Sequence, residues 1–175
     1  MELFNNFRRL AHFYLLKKEL KFHHVDRKVV KYYDARDIGI LFDASDVDRT
    51  AIVSSFADSL RRENKKISLL GYYNFPKAPI NFNFPYFNKK DINWHYEPQG
   101  NLVEEFISKK FDILVNAYID ENLPLEYVSA MSRAGFRIGH YDKKKIHSYD
   151  FMIDMRGRED LKLLVGQLRV YMEMF

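Results

Sequence analysis

Acidic side chains follow the first strongly apolar segment of the chain, in the run FDASDVD at residues 42–48. Carboxylate oxygens are hard ligands of the kind that Mg²⁺ takes in proteins, so Asp43, Asp46 and Asp48 are candidate metal ligands. The same run also suits the start of a helix, with Ser45 as the N-cap and the acids complementing the positive end of the helix. Both interpretations stay open, and the structural one is the more common for such a run.

Polar residues also stand where two later apolar segments end. Asn116 and Asp120 follow the segment 111–115, and Asp154 ends the segment 149–154. Because the carboxyl ends of parallel strands meet at one edge of a sheet, we expect Asp43, Asn116 and Asp154 to gather there. Such a group would suit a metal ion or a general base, and it is also where the alternative function would place a nucleotide or sugar phosphate. Polar strand ends are also typical of exposed loops.

Most other catalytic and cofactor chemistry lacks its residues. The chain has no cysteine, which excludes thiol catalysis, disulfides and cysteine-ligated metals. His23 and His24 are adjacent and would diverge on a helix, so they do not form a metal pair. The sequence has no nucleophile elbow, P-loop or dinucleotide glycine motif. We therefore expect no cofactor, no resident metal, and a protein that is not an enzyme.

The elements that would position these residues alternate between strand and helix. Apolar runs predict strands at residues 38–42, 67–73, 111–115, 136–141 and 149–154. Periodicity near 3.6 residues predicts helices at residues 46–64, 102–110, 123–134 and 159–174. This order predicts an α/β fold, a three-layer sandwich with a mostly parallel, Rossmann-like sheet. A further short strand is expected at residues 29–33, and the proline-rich residues 74–100 form either an irregular flap or short edge strands around residues 80–84.

The chain divides by charge into an N-terminal arm, residues 1–36, and a single α/β domain, residues 37–175. Residues 1–33 hold eight basic and three acidic residues, a net charge of +5, whereas the other 142 residues hold 20 basic and 21 acidic residues, a net charge of −1. Any argument for an anionic partner therefore depends on the arm.

The arm is predicted to contain a basic amphipathic helix over residues 2–22, with Phe4, Phe7 and Tyr14 on its apolar side. Three roles stay open for this helix. It docks on the body through its apolar side, it neutralises RNA phosphates, or it lies on an anionic membrane.

Residues 71–94 interleave Tyr, Phe and Trp with lysines. Exposed aromatic rings beside cations stack on bases and pair with phosphates, but aromatic rings more often pack into cores. The candidate partner-binding residues of the arm and this segment are Arg8, Arg9, Lys17, Lys18, Lys21, Arg27, Lys28, Tyr72, Tyr73, Lys89, Lys90 and Trp94.

Two resemblances accompany these patterns. The whole chain resembles an uncharacterised bacterial family of unknown function through MELFNNFRRLAHFYLLKKEL at its start and through IGILFDAS, LLGYYNFP and KKDINW further on. Residues 111–142 are similar to part of the N-terminal half of heptosyltransferase-type glycosyltransferases, in which a strand, a helix and an Arg-Ile-Gly strand follow in this order. The second resemblance implies the α/β fold and a transferase-like ancestry.

The favoured function is non-enzymatic binding to an RNA, a ribonucleoprotein or a protein surface through the arm and the aromatic–lysine segment. The alternative is a transferase-like or degenerate enzyme that binds a nucleotide or sugar phosphate near Asp43, Asn116 and Asp154. Self-association through the terminal apolar helices, residues 4–20 and 161–175, is a third hypothesis. No segment is long and apolar enough to span a bilayer, and no signal peptide is recognised, so a cytoplasmic location is expected.

Overall fold

The fold is built on six parallel strands, seen in a computed structural model that describes residues 2–77, 82–143 and 147–175. The strands are β1 Asp37–Asp43, β2 Lys66–Tyr73, β3 Tyr86–Asn88, β4 Ile113–Asn116, β5 Phe136–His140 and β6 Phe151–Ile153. The helices are α1 Glu2–Leu20, α2 Val47–Arg62, α3 Asn101–Ser108, α4 Leu123–Met131 and α5 Leu161–Met174, with a 3-10 turn at Lys89–Asp91. Most bounds lie within a few residues of those that the sequence predicts.

The strand order is β3-β2-β1-β4-β5-β6, and every neighbouring pair is parallel. The order reverses between β1 and β4, because the chain leaves β1 toward one edge of the sheet and returns to start the other half at β4. This is the strand order of a Rossmann-like sheet and confirms the predicted fold class. The switch point places the carboxyl ends of β1 and β4 side by side, with Leu41 opposite Asn116.

Helices cover both faces of the sheet. Alternate residues of β1 point to opposite faces. Ile40 and Phe42 join the core under α2 and α5, and Leu41 joins the core under α3 and α4. The predicted three layers are therefore confirmed.

Helix α4 is buried on nearly every side, and this sets the position of α1. Its residues from Leu123 to Ala130 are all buried. One side packs on the sheet, and the other side is covered by α1, where Leu16 contacts Tyr127 and Ala130. Helix α4 is thus covered on both sides, and α1 forms a partial fourth layer of the fold. The division of the chain at residue 36 stays a prediction.

The predicted strand at residues 29–33 is wrong, and of the two alternatives for the segment around residues 80–84 its described part forms no strand. The segment 29–33 leads into a turn in which the Lys31 carbonyl accepts from the N–H groups of Asp34 and Ala35. The turn is fixed by Tyr32, whose buried hydroxyl donates to Glu63 at 2.7 Å. The strand at the β2 edge of the sheet is β3. Residues 82–84 form no strand, and residues 80 and 81 lie outside the described ranges. Phe82 and Phe84 instead stack on each other, because burying rings against Phe42 gains more than pairing an edge.

Two glycines allow a comparison between a tightly packed position in the sheet and an open position on a helix. A Cβ atom on Gly39 of β1 would lie 2.9 Å from both Leu114 and the Phe111 ring, which are buried. We expect Gly39→Ala to lower the free energy of unfolding by about 1–3 kcal/mol, because the core cannot admit an extra methyl group without shifting. In the matched variant Gly166→Ala, the added Cβ atom in α5 has no other atom within 4 Å. This substitution should raise the free energy of unfolding by about 0.5–1 kcal/mol, because alanine favours a helix more than glycine does. Urea unfolding followed by circular dichroism measures both, and equal effects of the two substitutions would contradict the packing.

Candidate functional site

Asp43 stands at the switch point, at the end of β1, and both of its carboxylate oxygens have partners. Oδ1 accepts from the N–H of Ser45 at 2.8 Å, and Oδ2 accepts from the Asn122 side-chain amide at 3.2 Å. The carboxylate therefore ties the loop after β1 to the start of α4. In this role Asp43 fixes two crossing loops and does not present its oxygens to a ligand.

The start of α2 is capped by Asp46, so the expectation of Ser45 as N-cap is wrong. Asp46 accepts from the N–H of Arg49 at 2.9 Å. Ser45 lies one residue too early, and its hydroxyl accepts from the N–H of Asn74. Arg49 also forms an ion pair with Asp120, which connects the start of α2 to the loop after β4. Acids at this helix terminus disfavour a bound phosphate.

The other two residues of the expected carboxylate group do not meet at one site. Asn116 is buried at the end of β4 and donates through Nδ2 to the Ile138 carbonyl at 3.2 Å. Asp154 is exposed after β6 and accepts from the N–H of Arg156. Strands β1 and β6 are three positions apart in the sheet, a separation of about 14 Å at the usual strand spacing. No group of three potential metal ligands, Asp43, Asp46 and Asp48 included, occurs among the residues described.

The arginines of the arm are directed at the body. The Arg8 guanidinium lies 4.1 Å from the Tyr96 ring centroid and donates to the Trp94 carbonyl. Arg9 forms an ion pair with Glu121 at 2.7 Å. Arg27, in the connector, donates to the carbonyls of Ala134 and Ser132. Lys17, Lys18, Lys21 and Lys28 are the arm candidates that stay exposed. Arginine therefore fastens the arm, and lysine supplies its surface charge.

Helix α1 docks through a different side from the expected one. His12 and Leu16 are its buried residues, whereas Phe4, Phe7 and Tyr14 of the predicted apolar side face outward. The helix has large apolar residues nearly all round, so the side that docks is chosen by its partners. His12 and Arg8 find partners in the loop 93–97, and Glu19 accepts from the Tyr127 hydroxyl at 2.7 Å.

The outward side of α1, together with Trp94, forms the largest cluster of exposed apolar side chains described, and we call it the α1 outer face. Its members are Leu3, Phe4, Phe7, Leu10, Tyr14 and Trp94, each at least 51% exposed. Phe7 stacks on Trp94 with ring centroids 6.0 Å apart, so the helix and the loop after the 3-10 turn present one surface. Contiguous apolar patches of this kind mark interaction sites.

A cleft of about 650 Å³ runs along one flank of this face. Leu10, Phe13 and Leu16 form its apolar wall, and Arg9 and Lys17 also line it. A cleft beside an exposed apolar face offers a partner a place to insert an anchoring side chain.

Most aromatic rings in the described part of the aromatic–lysine segment are buried or half-buried. Tyr72 is buried, and its ring lies 5.0 Å from that of Phe87, while Tyr73 contacts Phe75 and Phe82. Lys89 and Lys90 are exposed on the 3-10 turn. Of the aromatic partner-binding candidates, only Trp94 is largely exposed.

His12 is the buried ionisable group at the seam between α1 and the body. It is 1% exposed, its Nδ1 lies 2.9 Å from the His95 carbonyl oxygen, and its Nε2 has no hydrogen-bond partner among the described atoms. Burial lowers the pKa of His12, and the charge of His95 lowers it further. The bond to the His95 carbonyl and the carboxylates of Glu97 and Glu121 act in the opposite direction.

Several side chains that fix the loops and strand ends around the site were not predicted from the sequence. Asn122, Arg49 and Arg137 make buried or bridging contacts, and no local motif announces such partners. One signal was available: Leu3, Phe7, Leu10 and Tyr14 follow a 4-3-4 spacing, which is typical of a seam that faces another helix.

Comparison with known proteins gives one match. A family model described as a family of unknown function, DUF6913, matches residues 9–175 of the chain. This confirms the full-length resemblance that the sequence motifs indicate. No curated protein matches the chain, so the local similarity of residues 111–142 to heptosyltransferase-type glycosyltransferases stays a prediction. No helix in the described parts of the chain is long and apolar enough to cross a membrane.

The low pKa of His12 makes the seating of α1 sensitive to acid. An unfolded histidine has a pKa of about 6.5, above that of buried His12, so below that pH the unfolded chain takes up a proton that the folded chain resists. Stability should therefore fall as the pH drops through this range. We expect the loss of melting temperature between about pH 7.5 and 5.5 to be smaller in His12→Gln than in the parent. The exposed His24→Gln is the control, and an unchanged loss in His12→Gln would contradict this account.

Proposed function

We propose that this chain, which belongs to DUF6913, a family of unknown function, is a non-enzymatic docking protein that binds another protein through the α1 outer face. The observation that supports the proposal is the exposure of Leu3, Phe7, Leu10 and Tyr14 in one stripe, beside Trp94. Side chains of this size stabilise a complex when a partner removes them from water.

The spacing of the stripe favours a helix as the partner element. Leu3, Phe7, Leu10 and Tyr14 stand at alternating intervals of four and three residues, so they fit between the side chains of a second helix. Lys17 and Lys21 occupy the next two positions of the same spacing, and both are exposed. A matching partner helix has apolar residues along most of its seam and acidic residues opposite these lysines.

A second copy of the chain matches this surface poorly. Parallel pairing of two α1 helices would set Lys17 and Lys21 against the same residues of the other copy, and like charges at a seam are unfavourable. Antiparallel pairing would leave the lysines beyond the start of the other helix. The acids of α1 itself are Glu2 and Glu19, and Glu19 already accepts from Tyr127.

RNA is also a poorer fit than a protein. Phosphate neutralisation needs outward cations, and Arg8, Arg9 and Arg27 are all occupied by contacts to the body. The half of α1 that carries the exposed stripe presents apolar side chains instead. This leaves the lysines at the far end of the helix as the charged rim of an otherwise apolar surface.

Photo-crosslinking in cells tests the proposal. The full chain is expressed with Leu10 replaced by benzoylphenylalanine, and the cross-linked peptide is identified by mass spectrometry. We expect adducts with a peptide from another protein that forms an amphipathic helix with acidic residues near its seam. Lys17→Glu combined with Lys21→Glu should lower the yield at least about fivefold, because two charge pairs of a few tenths to 1 kcal/mol become repulsive.

Two matched controls decide the result. Val170 is exposed on α5, so benzoylphenylalanine at that position should give no such adduct, and Lys162→Glu should leave the yield from position 10 unchanged. Adducts with peptides of this same chain, with lipid or with RNA would overturn the proposal in favour of self-association, a membrane or a nucleic acid. Absence of any adduct at position 10 would also overturn it.

A further inference from the structure

A small polar pocket lies at the opposite end of α1 from the exposed stripe, where the connector crosses the start of β5. Its volume is about 290 Å³. His23 and Arg27 reach it from the connector, Arg137 from β5, and His147 from the loop before β6. Four side chains that carry or can accept positive charge thus converge from three separate segments of the chain.

The two arginines of the pocket share one carboxylate. Arg137 donates to both oxygens of Asp150, at 3.0 Å through Nε and 2.8 Å through Nη2. The Nε atom of Arg27 lies 3.9 Å from the same carboxylate. The other hydrogen bonds of the Arg27 guanidinium go to the carbonyls of Ala134 and Ser132, which neutralise no charge. The two guanidinium groups therefore share one negative charge, and Arg27 has no carboxylate of its own.

The charge is held where water screens it poorly. Arg137 is 6% exposed, and the Arg27 side chain is 20% exposed. Burial lowers the pKa of Arg27 to about 10, and the charge of Arg137 adds to this effect while Asp150 opposes it. Two guanidinium groups this close repel each other, and an anion between them would relieve the repulsion.

His23 supplies an unused hydrogen-bonding atom in the same pocket. Its Nε2 atom is buried and has no hydrogen-bond partner among the described atoms. Burial lowers the pKa of His23, a backbone hydrogen bond at Ser132 opposes this, and the charges of Arg27, Arg133 and Arg137 lower it further. A buried polar atom without a partner is unfavourable, so a ligand that forms a hydrogen bond to it is stabilised.

We propose that this pocket binds a tetrahedral oxyanion, either inorganic phosphate or the terminal phosphate of a monoester, between Arg27, Arg137 and His23. Guanidinium groups match phosphate oxygens in geometry and charge. Because the neutral His23 ring donates its other nitrogen to the Ser132 backbone, its free Nε2 accepts a hydrogen bond from the P–OH group of a monoprotonated phosphate. Asp150 holds Arg137 in place and leaves Arg27 to contact the anion. The site lies away from the α1 outer face and stands or falls independently of the docking proposal.

Titration of the intact protein with phosphate tests the site. The histidine ring C–H resonances are followed by NMR at constant ionic strength, with chloride replaced by inorganic phosphate or by methyl phosphate. We expect the signals of His23 and His147 to shift and to saturate by about 10 mM, where a millimolar site is mostly filled. A tighter response to methyl phosphate identifies the monoester as the ligand class, and a tighter response to inorganic phosphate identifies the free anion.

The substitutions separate a built site from general charge screening. Arg27→Met should weaken binding at least about tenfold, because a charge-assisted hydrogen bond contributes about 1.5–3 kcal/mol. His23→Gln keeps Arg27 and its backbone contacts and should weaken binding about fivefold, so the test survives if Arg27→Met fails to fold. Arg158→Met, at an exposed arginine after β6, should leave binding unchanged. His23 resonances that do not shift with either anion would overturn the proposal. So would His23 resonances that shift equally in Arg27→Met and in the parent protein.

Discussion

The burial of α4 on all sides is the constraint on which the rest of the structure depends. A nine-residue helix that is buried from Leu123 to Ala130 has to be enclosed, and the sheet encloses only one side of it. Helix α1 supplies the other side. Its seating turns Arg8 and Arg9 toward the body, leaves the opposite stripe in solvent, and brings the connector down to β5. The α1 outer face and the arginine pocket thus both depend on the way in which α1 packs on α4.

The same arrangement explains why the carboxyl edge of the sheet is a poor candidate for chemistry. In Rossmann-like folds ligands enter at the switch point, where loops leave room above the strands. Here Asp43 is shared between Ser45 and Asn122, and the pair of Arg49 with Asp120 connects the start of α2 to the loop after β4. Asp43 and Asp120 are thus engaged by contacts between the loops, whereas the buried Asn116 Oδ1 has no hydrogen-bond partner among the described atoms.

Much of the fold follows from the sequence, because strand and helix periodicities depend on neighbouring residues. Residues 38–42 form an apolar run and identify a parallel, buried strand, and in residues 136–141 the apolar Phe136 and Ile138 mark a second one despite Arg137 and His140. The short strand β3 lies outside the predicted strand positions, because three residues carry little periodicity. Phe82 and Phe84 have the alternation of an edge strand, but their rings stack on each other instead. The docking side of α1 was also wrong, since the helix has apolar residues on both sides and only the contacts of His12 and Leu16 decide between them. Arg137 and Asp150 lie 13 residues apart, and their pairing depends on β5 and β6 being neighbours.

Trp94 gives this architecture an optical property of its own. It is the single tryptophan of the chain, and it lies outside the sheet core, stacked on Phe7 of α1. Its fluorescence therefore responds to the seating of the N-terminal helix, whereas far-ultraviolet circular dichroism responds to all the helices and strands together. In a denaturation experiment the two signals follow different parts of the molecule. If α1 lifts off before the sheet unfolds, the tryptophan transition precedes the dichroism transition, and a fit that assumes two states would misstate the stability of the core.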